Sequence, residues 1–588
     1  MSSAISYPFT SPSAALARGI EDTVIYGKEA DNLLLKGSCW VVSRVISTVV
    51  FPIFLTMELI FKRIPDMLFH IRSDKFSIFA DECMKYSLAI VPAIIFGLYS
   101  PNAMPGFFLQ RSIHACEVRP FGVENIYGKT LSNPVNYPAT PSAVQDLVRS
   151  ATSLDQQVSV IGAGMSQGTQ TIPLKPDQCV IHTKYLNTIA VDPHKNTATV
   201  GSGVTWEELQ LVLDQMGKSA IVKQASDVFS IGGSIGINCH GWAHLHGSIA
   251  QTVKELKIID SNGNLRILPR PKEGVPFERL SDDEQLFKCM FGTMGYFGVV
   301  VEATLDIVDN EVVMEDARQI RIESFIDEYR KIQQDAAVQL FGGRLSLNSL
   351  STDLFGRVCM DSYRSITGAS GAVANRTIQP EPATGTRIQR IGLQLVGYLP
   401  SFSVRRLTAW FWSQERVAML EGKTMTRNEA LHPPIKSFLM LHESNLKTEW
   451  LQEYFIKPDR LVEFVKFLGK KLTDNAVRVV NATIRVVPKD EISILPYAEE
   501  ERFAVVICFA QEKTCSSIEK TKGWIEEVNQ YLLGNNGVFY QAYMPYATKE
   551  QFESGYGIDR VGQMRQMKAK FDPAHVFGNE HTQKYYDV

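Results

Sequence analysis

The stretch Ser230–Gly247, which reads SIGGSIGINCHGWAHLHG, concentrates glycine and histidine, two residue types that usually serve different chemistry. Glycine lets a ligand approach the backbone closely, so that successive N–H groups can point at phosphate oxygens. A second glycine turn, VIGAGMSQGTQ at Val160–Gln170, follows a short apolar run. Either turn alone is a weak signal, but together they predict a cradle for a phosphate-bearing cofactor.

The histidines raise the alternative of a metal site. His240 and His244 have a spacing that would place two ligands on one face of a helix. However, the flanking glycines leave little room for a helix, and the sequence carries no HExxH glutamate. No second cysteine or histidine pair stands at ligand spacing elsewhere, so a metal site is disfavoured.

The first glycine turn also does not fit a nicotinamide-type Rossmann domain. In GAGMSQG the third glycine is displaced from the GxGxxG pattern. No acidic residue follows about twenty positions later at the end of a second paired strand. The glycines therefore predict a different cofactor fold.

Composition favours small-molecule chemistry. The chain has 588 residues, of which 45% are apolar, so it can form two or three domains with sizeable cores. Its 60 basic and 63 acidic residues give a net charge of -3, which argues against nucleic acid as a partner. Its nine cysteines include no CxxC pair, so neither a disulfide framework nor a zinc ribbon is indicated, and a reducing compartment is favoured.

Two apolar stretches near the start, Cys39–Phe61 and Tyr86–Tyr99, predict membrane association. The first is long enough to cross a bilayer, which takes about 20 apolar residues, but it contains Arg44 and Glu58. The alternatives are true insertion, a hairpin within one leaflet, and core helices of an N-terminal cap. We expect residues 1–110 to form a helical, membrane-associated segment, with the catalytic domain in the cytoplasm.

From about Asn133 the hydrophobic pattern alternates between helices and short strands. TPSAVQDLVRSA predicts a helix, QQVSVIGAG a buried strand, and TVKELKIIDSNGNLRILPR a hairpin. Past about Asp309, strands such as NATIRVV alternate with helices such as RLVEFVKFLGKKL, which indicates a second α+β unit. The loop Ser365–Arg387 is either a surface insertion, which its composition favours, or a lid over a site.

Several motifs, in order, resemble the FAD-binding domain of the vanillyl-alcohol oxidase, or PCMH-type, superfamily. They run from NPVNYPATPSAVQDLVRSA through VSVIGAGMSQGTQ and SIGGSIGINCHG to LFKCMFGTMGYFGVVVEATLDI. Within the superfamily, NCHGWAHLHGSIAQTV and FYQAYMPYATKEQF are most similar to decaprenylphosphoryl-ribose oxidase and its relatives, then to sugar-alcohol oxidases. The terminal His-Trp-Gly-Lys signature of the aldonolactone enzymes is missing, which argues against a lactone substrate.

The resemblance implies an α+β fold with noncovalently bound FAD. Residues 130–308 would form the PCMH-type two-subdomain FAD-binding fold, residues 309–545 an α+β substrate (cap) domain, and residues 546–588 a segment that returns to the FAD domain. The loop Gly162–Gly168 would surround the FAD diphosphate. The FAD contacts implied by the resemblance are Gly162, Ala163, Gly164, Met165, Ser166, Gln167, Gly168, Ala225, Ser226, Ser230, Gly232, Gly233, Ile237, Asn238, His240, Val299, Val300 and Tyr540.

Departures from the family pattern carry further predictions. Members with covalent flavin have a histidine where this chain has Met165, whose thioether cannot form that link, and attachment through His240 is disfavoured. Tyr543 replaces an active-site lysine of the ribose oxidases, which argues against a phosphate-bearing substrate unless another basic residue substitutes. Cys239 falls where some relatives carry a small residue that governs oxygen access, which favours a dehydrogenase over an oxidase.

Alcohol oxidation by a flavin needs an acceptor for the hydroxyl proton. His240, Tyr540 and Tyr543 are the candidates to bind the hydroxyl or take its proton, and Gln452 and Tyr454 alternate on a strand that would line the pocket. The alternatives are that His240 is only a structural hydrogen-bond partner and that the tyrosines belong to the core.

We therefore predict an FAD-dependent oxidoreductase that oxidises a secondary alcohol of a sugar-like or lipid-linked sugar substrate near a membrane, by hydride transfer to flavin N5. Two alternatives stay open. One is an FAD-dependent reductase of an isoprenoid or sterol double bond, and the other is a catalytically idle, membrane-associated flavoprotein. The sequence identifies neither the substrate nor the electron acceptor.

Overall fold

The computed structural model describes residues 135–175, 177–347, 354–366, 373, 376–379, 422–432, 447–512 and 514–587. The apolar stretches Cys39–Phe61 and Tyr86–Tyr99 lie outside these residues, as does most of the loop Ser365–Arg387. Across the described ranges, no helix is both long and apolar enough to cross a bilayer. The membrane association expected for residues 1–110 stays a prediction.

The first subdomain is a small parallel sheet in the order β1-β3-β2, with one helix beside it. Its elements are β1 (Val135–Asn136), α1 (Pro141–Ser153), β2 (Val158–Ile161) and β3 (Cys179–His182). Helix α1 begins at the predicted position because the Thr140 side chain accepts a hydrogen bond from the N–H of Ala143 and Pro141 suits the first turn. Its buried Val144 shares a core cluster with β2 and β3.

The second subdomain is an antiparallel sheet in the order β4-β5-β9-β7-β8, with β6 also paired to β9. Its elements are β4 (Ile189–Asp192), β5 (Thr197–Gly201), α2 (Trp206–Gln215), β6 (Lys218–Ala220), α3 (Ile231–Gly236), β7 (Val253–Ile259), β8 (Leu265–Pro269), α4 (Asp282–Cys289) and β9 (Val299–Asp309). Thr205 and Ser281 start α2 and α4 with capping boxes. Together, α3 and β9 carry four of the predicted FAD contacts, namely Gly232, Gly233, Val299 and Val300.

The cap domain is built on an eight-stranded antiparallel sheet in the order β13-β10-β12-β11-β15-β16-β14-β17. Its elements are β10 (Val312–Arg321), α5 (Phe325–Gln333), β11 (Val338–Leu345), β12 (Arg357–Ser365), β13 (Thr424–Thr426), α6 (Arg427–Leu431), β14 (Lys447–Ile456), α7 (Leu461–Asp474), β15 (Arg478–Val487), β16 (Arg502–Glu512), α8 (Cys515–Gly534) and β17 (Val538–Phe539). Helix α7 packs on one face of β14, where Phe464 contacts Tyr454. The opposite face meets the FAD domain, where Phe455 contacts His240.

Three C-terminal helices, α9 (Lys549–Tyr556), α10 (Ile558–Phe571) and α11 (Glu580–Tyr585), complete the described chain. After α10 the backbone returns to the first subdomain, where Phe577 forms a parallel bridge with Val158 of β2. A buried ion pair of 2.6 Å between Lys568 and Asp572 stabilises this turn. The mixed helix and sheet architecture confirms the α+β class predicted from the sequence.

Candidate active site

Two glycine turns meet at Ser230, the residue before α3. Its Oγ accepts a hydrogen bond from the N–H of Ala163 at 3.0 Å and another from Gly233 at 3.3 Å. A Cβ at Gly162 would lie 2.4 Å from this oxygen, so the position has room only for glycine. Gly164 has a φ of 71°, which also favours glycine. The predicted diphosphate loop and the predicted second wall are therefore adjacent.

One face of α3, together with Ile237 directly after the helix, is partly exposed to solvent. Gly232, Gly233, Gly236 and Ile237 are partly exposed, whereas the other residues of the helix are buried. A Cβ added at Gly236 would meet no atom within 4 Å. A ligand can thus lie directly against this glycine-lined backbone.

Three buried polar groups on the segments around α3 have no hydrogen-bond partner among the described residues. They are the Oγ atoms of Ser202 and Ser226 and the Nε2 atom of Gln224. Ser202 lies against α3, since the N–H of Gly232 donates to its carbonyl oxygen at 2.8 Å. Buried polar groups normally have partners, so these hydroxyls and this amide fit a polar cofactor such as FAD. Ala225, which lies between Gln224 and Ser226 in the sequence, is partly exposed.

Two residues of the diphosphate loop bind other parts of the protein. The Oγ of Ser166 lies 3.0 Å from Oγ1 of Thr171. The side-chain amide of Gln167 donates to the Glu449 carbonyl at 3.0 Å and accepts from the Leu451 N–H at 2.8 Å. Gln167 therefore ties the loop to β14 of the cap domain.

The remaining predicted FAD contacts lie in the loop, in β9 and after α3. Met165 is partly exposed, Val299 is buried, and Val300 is partly exposed at the start of β9. Asn238 adopts a φ of 51° and donates from Nδ2 to Asp490 at 2.8 Å. The Asn238 side chain thus joins the FAD domain to the cap domain.

His240 and Glu453 form a buried pair between the two domains. Nε2 of His240 lies 2.5 Å from Oε1 of Glu453, and both side chains are 2% exposed. In the tautomer that donates to this carboxylate, Nε2 carries the hydrogen and Nδ1 keeps its lone pair. Nδ1 is buried without a hydrogen-bond partner in the described part of the chain. The pair has the form of an acid–base dyad with one proton-accepting nitrogen free.

Aromatic side chains enclose this pair. The ring centroids within 6.1 Å of the His240 ring are those of Phe455, Tyr497 and Tyr540. The Tyr540 hydroxyl donates to the Ile237 carbonyl at 2.8 Å, and the Tyr543 ring lies 5.8 Å from the Tyr540 ring. Burial raises the pKa of Tyr540 well above its usual range, so its hydroxyl stays protonated and acts as a donor. The structure thus brings His240, Tyr540 and Tyr543 together.

The sequence placed Gln452 and Tyr454 at the pocket, whereas the structure brings Glu453 to His240. Alternate strand residues point to opposite faces, and Tyr454 packs on Phe464 of α7, away from the FAD domain. The residue between the two predicted ones therefore faces the FAD domain. The available signal for Glu453 was a carboxylate next to the aromatic pair Tyr454 and Phe455.

Gln452 has a different contact from the one expected. Its Nε2 donates to the Met544 carbonyl at 2.8 Å. Met544 directly follows Tyr543, so Gln452 holds the backbone of the segment that carries this tyrosine. Its Oε1 is buried and has no hydrogen-bond partner among the described residues.

Arg485 is a second residue that sequence reasoning missed, because NATIRVV was interpreted only as a strand. Arg485 of β15 pairs with Ala504 of β16, which in turn pairs with Phe455 of β14. Arg485 therefore lies on the same sheet face as Glu453, which is two positions before Phe455. Its Nε is buried and has no hydrogen-bond partner in the described ranges. Burial raises the pKa of the Tyr543 phenol, and the nearby Arg485 charge partly offsets this effect. A guanidinium is thus available beside the candidate acid–base groups.

The other residues of the histidine-rich stretch point in different directions. Nε2 of His244 lies 3.1 Å from the Val338 carbonyl, while His246 is exposed. Cys239 is buried in the core, and burial raises the pKa of its thiol to about 12. Among the residues that the structure describes, no group of three or more His, Cys, Asp or Glu side chains is placed to hold a metal ion.

Residues 133–268 match a family model described as an FAD binding domain. Three curated relatives illustrate the wider similarity. The FAD-linked oxidoreductase tazL of Aspergillus terreus is 25% identical over 174 residues, 29% of this chain and 33% of the relative. The D-arabinono-1,4-lactone oxidase of Saccharomyces cerevisiae is 22% identical over 213 residues, 35% of this chain and 38% of the relative.

The third relative aligns over a longer region. The FAD-linked oxidoreductase srdI of Neurospora crassa is 20% identical over 458 residues, 75% of this chain and 82% of the relative. By comparison, the matches to tazL and to the Saccharomyces cerevisiae lactone oxidase span only about a third of the lengths of those two relatives.

The glycine-lined backbone around α3 lies within the matched FAD-binding region, and two of the three relatives are named FAD-linked oxidoreductases. Residues 133–268 are therefore similar to an FAD-binding domain, and the cofactor is FAD.

Proposed function

We propose that this flavoprotein oxidises a secondary alcohol of a sugar-like or lipid-linked sugar substrate. The observation that carries the proposal is the buried His240–Glu453 pair, in which Nδ1 of His240 has no hydrogen-bond partner among the described residues. FAD, when bound, supplies the hydride acceptor at N5. His240 Nδ1 takes the hydroxyl proton, and the Glu453 carboxylate stabilises the imidazolium that forms.

Neighbouring groups supply substrate contacts in this proposal. Tyr540 and Tyr543 are neutral phenols that orient the substrate by hydrogen bonds. The guanidinium of Arg485 stabilises negative charge that develops on the substrate oxygen. It is also the basic residue that can replace the lysine missing at Tyr543, which keeps phosphate-linked sugars among the substrates to test.

Anaerobic mixing of the purified full-length protein with alditols, aldonolactones and polyprenyl-phosphoryl sugars tests the proposal. We expect at least one hydroxylated compound to bleach the visible absorbance of the flavin. Bleaching by an aldonolactone alone would point to the chemistry that the D-arabinono-1,4-lactone oxidases are named for. If no alcohol reduces the flavin but an isoprenoid or sterol alkene reoxidises the reduced protein, the assignment is overturned in favour of a reductase.

Membrane association and a dehydrogenase type of electron acceptor complete the proposal. The first is supported by the apolar composition of Cys39–Phe61 and Tyr86–Tyr99, and the second by the cysteine at position 239. Flotation of the full-length protein with anionic lipid vesicles tests the first part. Comparing flavin reoxidation by O2 and by a quinone tests the second.

A further inference from the structure

The segment 540–547, which carries Tyr540 and Tyr543, has no helix or strand of its own. Side chains from other parts of the protein bind its backbone carbonyls instead. The bonds are Gln170 Nε2 to Ala542 O (2.8 Å), Gln452 Nε2 to Met544 O (2.8 Å), Asn529 Nδ2 to Pro545 O (2.6 Å) and Tyr585 Oη to Ala547 O (3.1 Å). The placement of the two tyrosines therefore depends on these side chains.

One of these side chains, Gln170, follows the diphosphate loop directly. It is 6% exposed and lies two positions after Gly168. A Cβ at Gly168 would lie 3.0 Å from the Tyr543 carbonyl. The loop backbone therefore also contacts residues 540–547, which we call the tyrosine segment. The loop and the segment thus meet through both a backbone contact and a buried amide.

Gln167 makes the corresponding connection to β14. Its amide donates to the Glu449 carbonyl and accepts from the Leu451 N–H, which are the bonds that a neighbouring strand would make. Glu453 lies two positions beyond Leu451 on the same strand. Movement of this loop would therefore act on the strand that carries the carboxylate.

We propose that Gln167 and Gln170 are positioning residues that couple the state of the FAD loop to the acid–base groups of the cap domain. Ordering of Gly162–Gly168 around the FAD diphosphate fixes β14 with Glu453 through Gln167. It fixes the segment with Tyr543 through Gln170. The inference rests on the proposed function, because it assigns Glu453 and Tyr543 to the reaction.

Hydrogen exchange of the full-length protein, with FAD removed and with FAD restored, tests the coupling. We expect FAD to slow exchange in residues 449–455 and 541–547 by about tenfold or more, although none of these residues is a predicted cofactor contact. The variants Gln167→Leu and Gln170→Leu keep the side-chain size but lose the amide. At FAD concentrations that saturate it, each variant should lose this protection in the segment that its glutamine contacts, and its rate constant for flavin reduction should fall about tenfold to a hundredfold.

Gln178→Leu is the matched control, because its buried Nε2 donates to the Gly578 carbonyl at 2.7 Å, which lies outside both probed segments. It should keep the FAD-dependent protection. The inference is overturned if FAD leaves exchange of both segments unchanged in the wild-type protein, a result that does not depend on any variant folding. It is also overturned if both leucine variants keep full protection. Failure of every alcohol to reduce the flavin would overturn the proposed function and leave the exchange result standing.

Discussion

At the scale of single residues, the decisive feature is that His240 has one ring nitrogen occupied and one free. Nε2 is held by Glu453 at 2.5 Å, and Nδ1 has no hydrogen-bond partner among the described residues. Burial with 2% exposure removes water from the pair, so the carboxylate charge acts on the imidazole with little screening. In the proposed function, the carboxylate orients this histidine, and Nδ1 on the other side of the ring accepts the substrate proton.

The first prediction concerns the variant Glu453→Gln. A neutral amide can still accept the hydrogen bond from His240 but cannot stabilise an imidazolium. We expect the rate constant for flavin reduction by a substrate to fall about 100-fold or more, with the FAD content unchanged. Stopped-flow absorbance measures the rate, and the flavin absorbance spectrum measures the FAD content.

Glu315→Gln is a suitable control for this variant. Glu315 is also buried in the cap sheet, where it accepts from the Tyr363 hydroxyl at 2.8 Å. However, β12, β11, β15 and β16 separate its strand from β14. Equal losses in Glu315→Gln and Glu453→Gln would contradict the role assigned to the dyad.

At the scale of elements, the cofactor cleft depends on how closely the turn after β2 approaches the start of α3. Ser230 caps α3 and also receives the N–H of Ala163, so one hydroxyl serves both segments. That arrangement needs glycine at position 162, where a Cβ would be only 2.4 Å from the hydroxyl oxygen. Gly162 is therefore required by packing between the two turns.

The second prediction is that Gly162→Ala lowers FAD occupancy of the purified protein, because the added methyl forces the two turns apart. Adding Ser230→Ala removes the obstructing hydroxyl and should restore part of the occupancy. Gly523→Ala in α8 is the control, since its Cβ would meet no atom within 4 Å. The ratio of flavin absorbance to protein absorbance is the measurement. Full occupancy in Gly162→Ala would show that the turns tolerate separation.

At the scale of the whole molecule, the C-terminal segment connects the subdomains and the cap domain. Lys568 of α10 donates to the carbonyls of Tyr296 and Phe577 as well as pairing with Asp572. The buried His581 of α11 lies 3.1 Å from Oε1 of Gln541, within the tyrosine segment. Stability and site geometry are therefore linked through the same C-terminal residues.

The third prediction compares two lysines of one helix. Lys568→Met leaves the buried Asp572 carboxylate without its cation, which should cost about 3 to 5 kcal/mol of unfolding free energy. Lys570→Met removes a pair with Asp282 whose side chains are 38% and 66% exposed. That change should cost about 1 kcal/mol or less. Urea unfolding measures both, and similar losses would contradict the structural role of the buried pair.

The fourth prediction concerns acid stability. Burial lowers the pKa of His581 to about 3, whereas the unfolded chain titrates near the ordinary value of 6.5. Between these values the unfolded state binds the extra proton, so this residue lowers stability as pH falls below 6.5, by at most about 1.4 kcal/mol per pH unit. His581→Gln should make the unfolding free energy less dependent on pH in this range. The exposed His194→Gln should keep the wild-type slope, and an unchanged slope in His581→Gln would refute the assignment.

The sequence by itself determined the cofactor and the positions of several elements of the fold. Glycine turns, capping residues and hydrophobic periodicity act over a few neighbouring positions, so a single sequence records them. They located α1 and the two turns that meet at Ser230, and the motifs indicated FAD. The histidine at position 240 could also be selected as a candidate, because its stretch stood out by composition.

Only the tertiary structure decided which cap-domain residues meet that histidine. Neighbouring residues of a strand point to opposite faces, so a shift of one position separates a side chain that faces the FAD domain from one that faces a helix. The sequence does not indicate which of the two faces the FAD domain covers. This is why Glu453 contacts His240 while Tyr454 packs on Phe464. Arg485 and the amide contacts of Gln167 and Gln170 depend on segments that are distant in sequence. No local pattern records such pairings, because they form only when the two domains pack together.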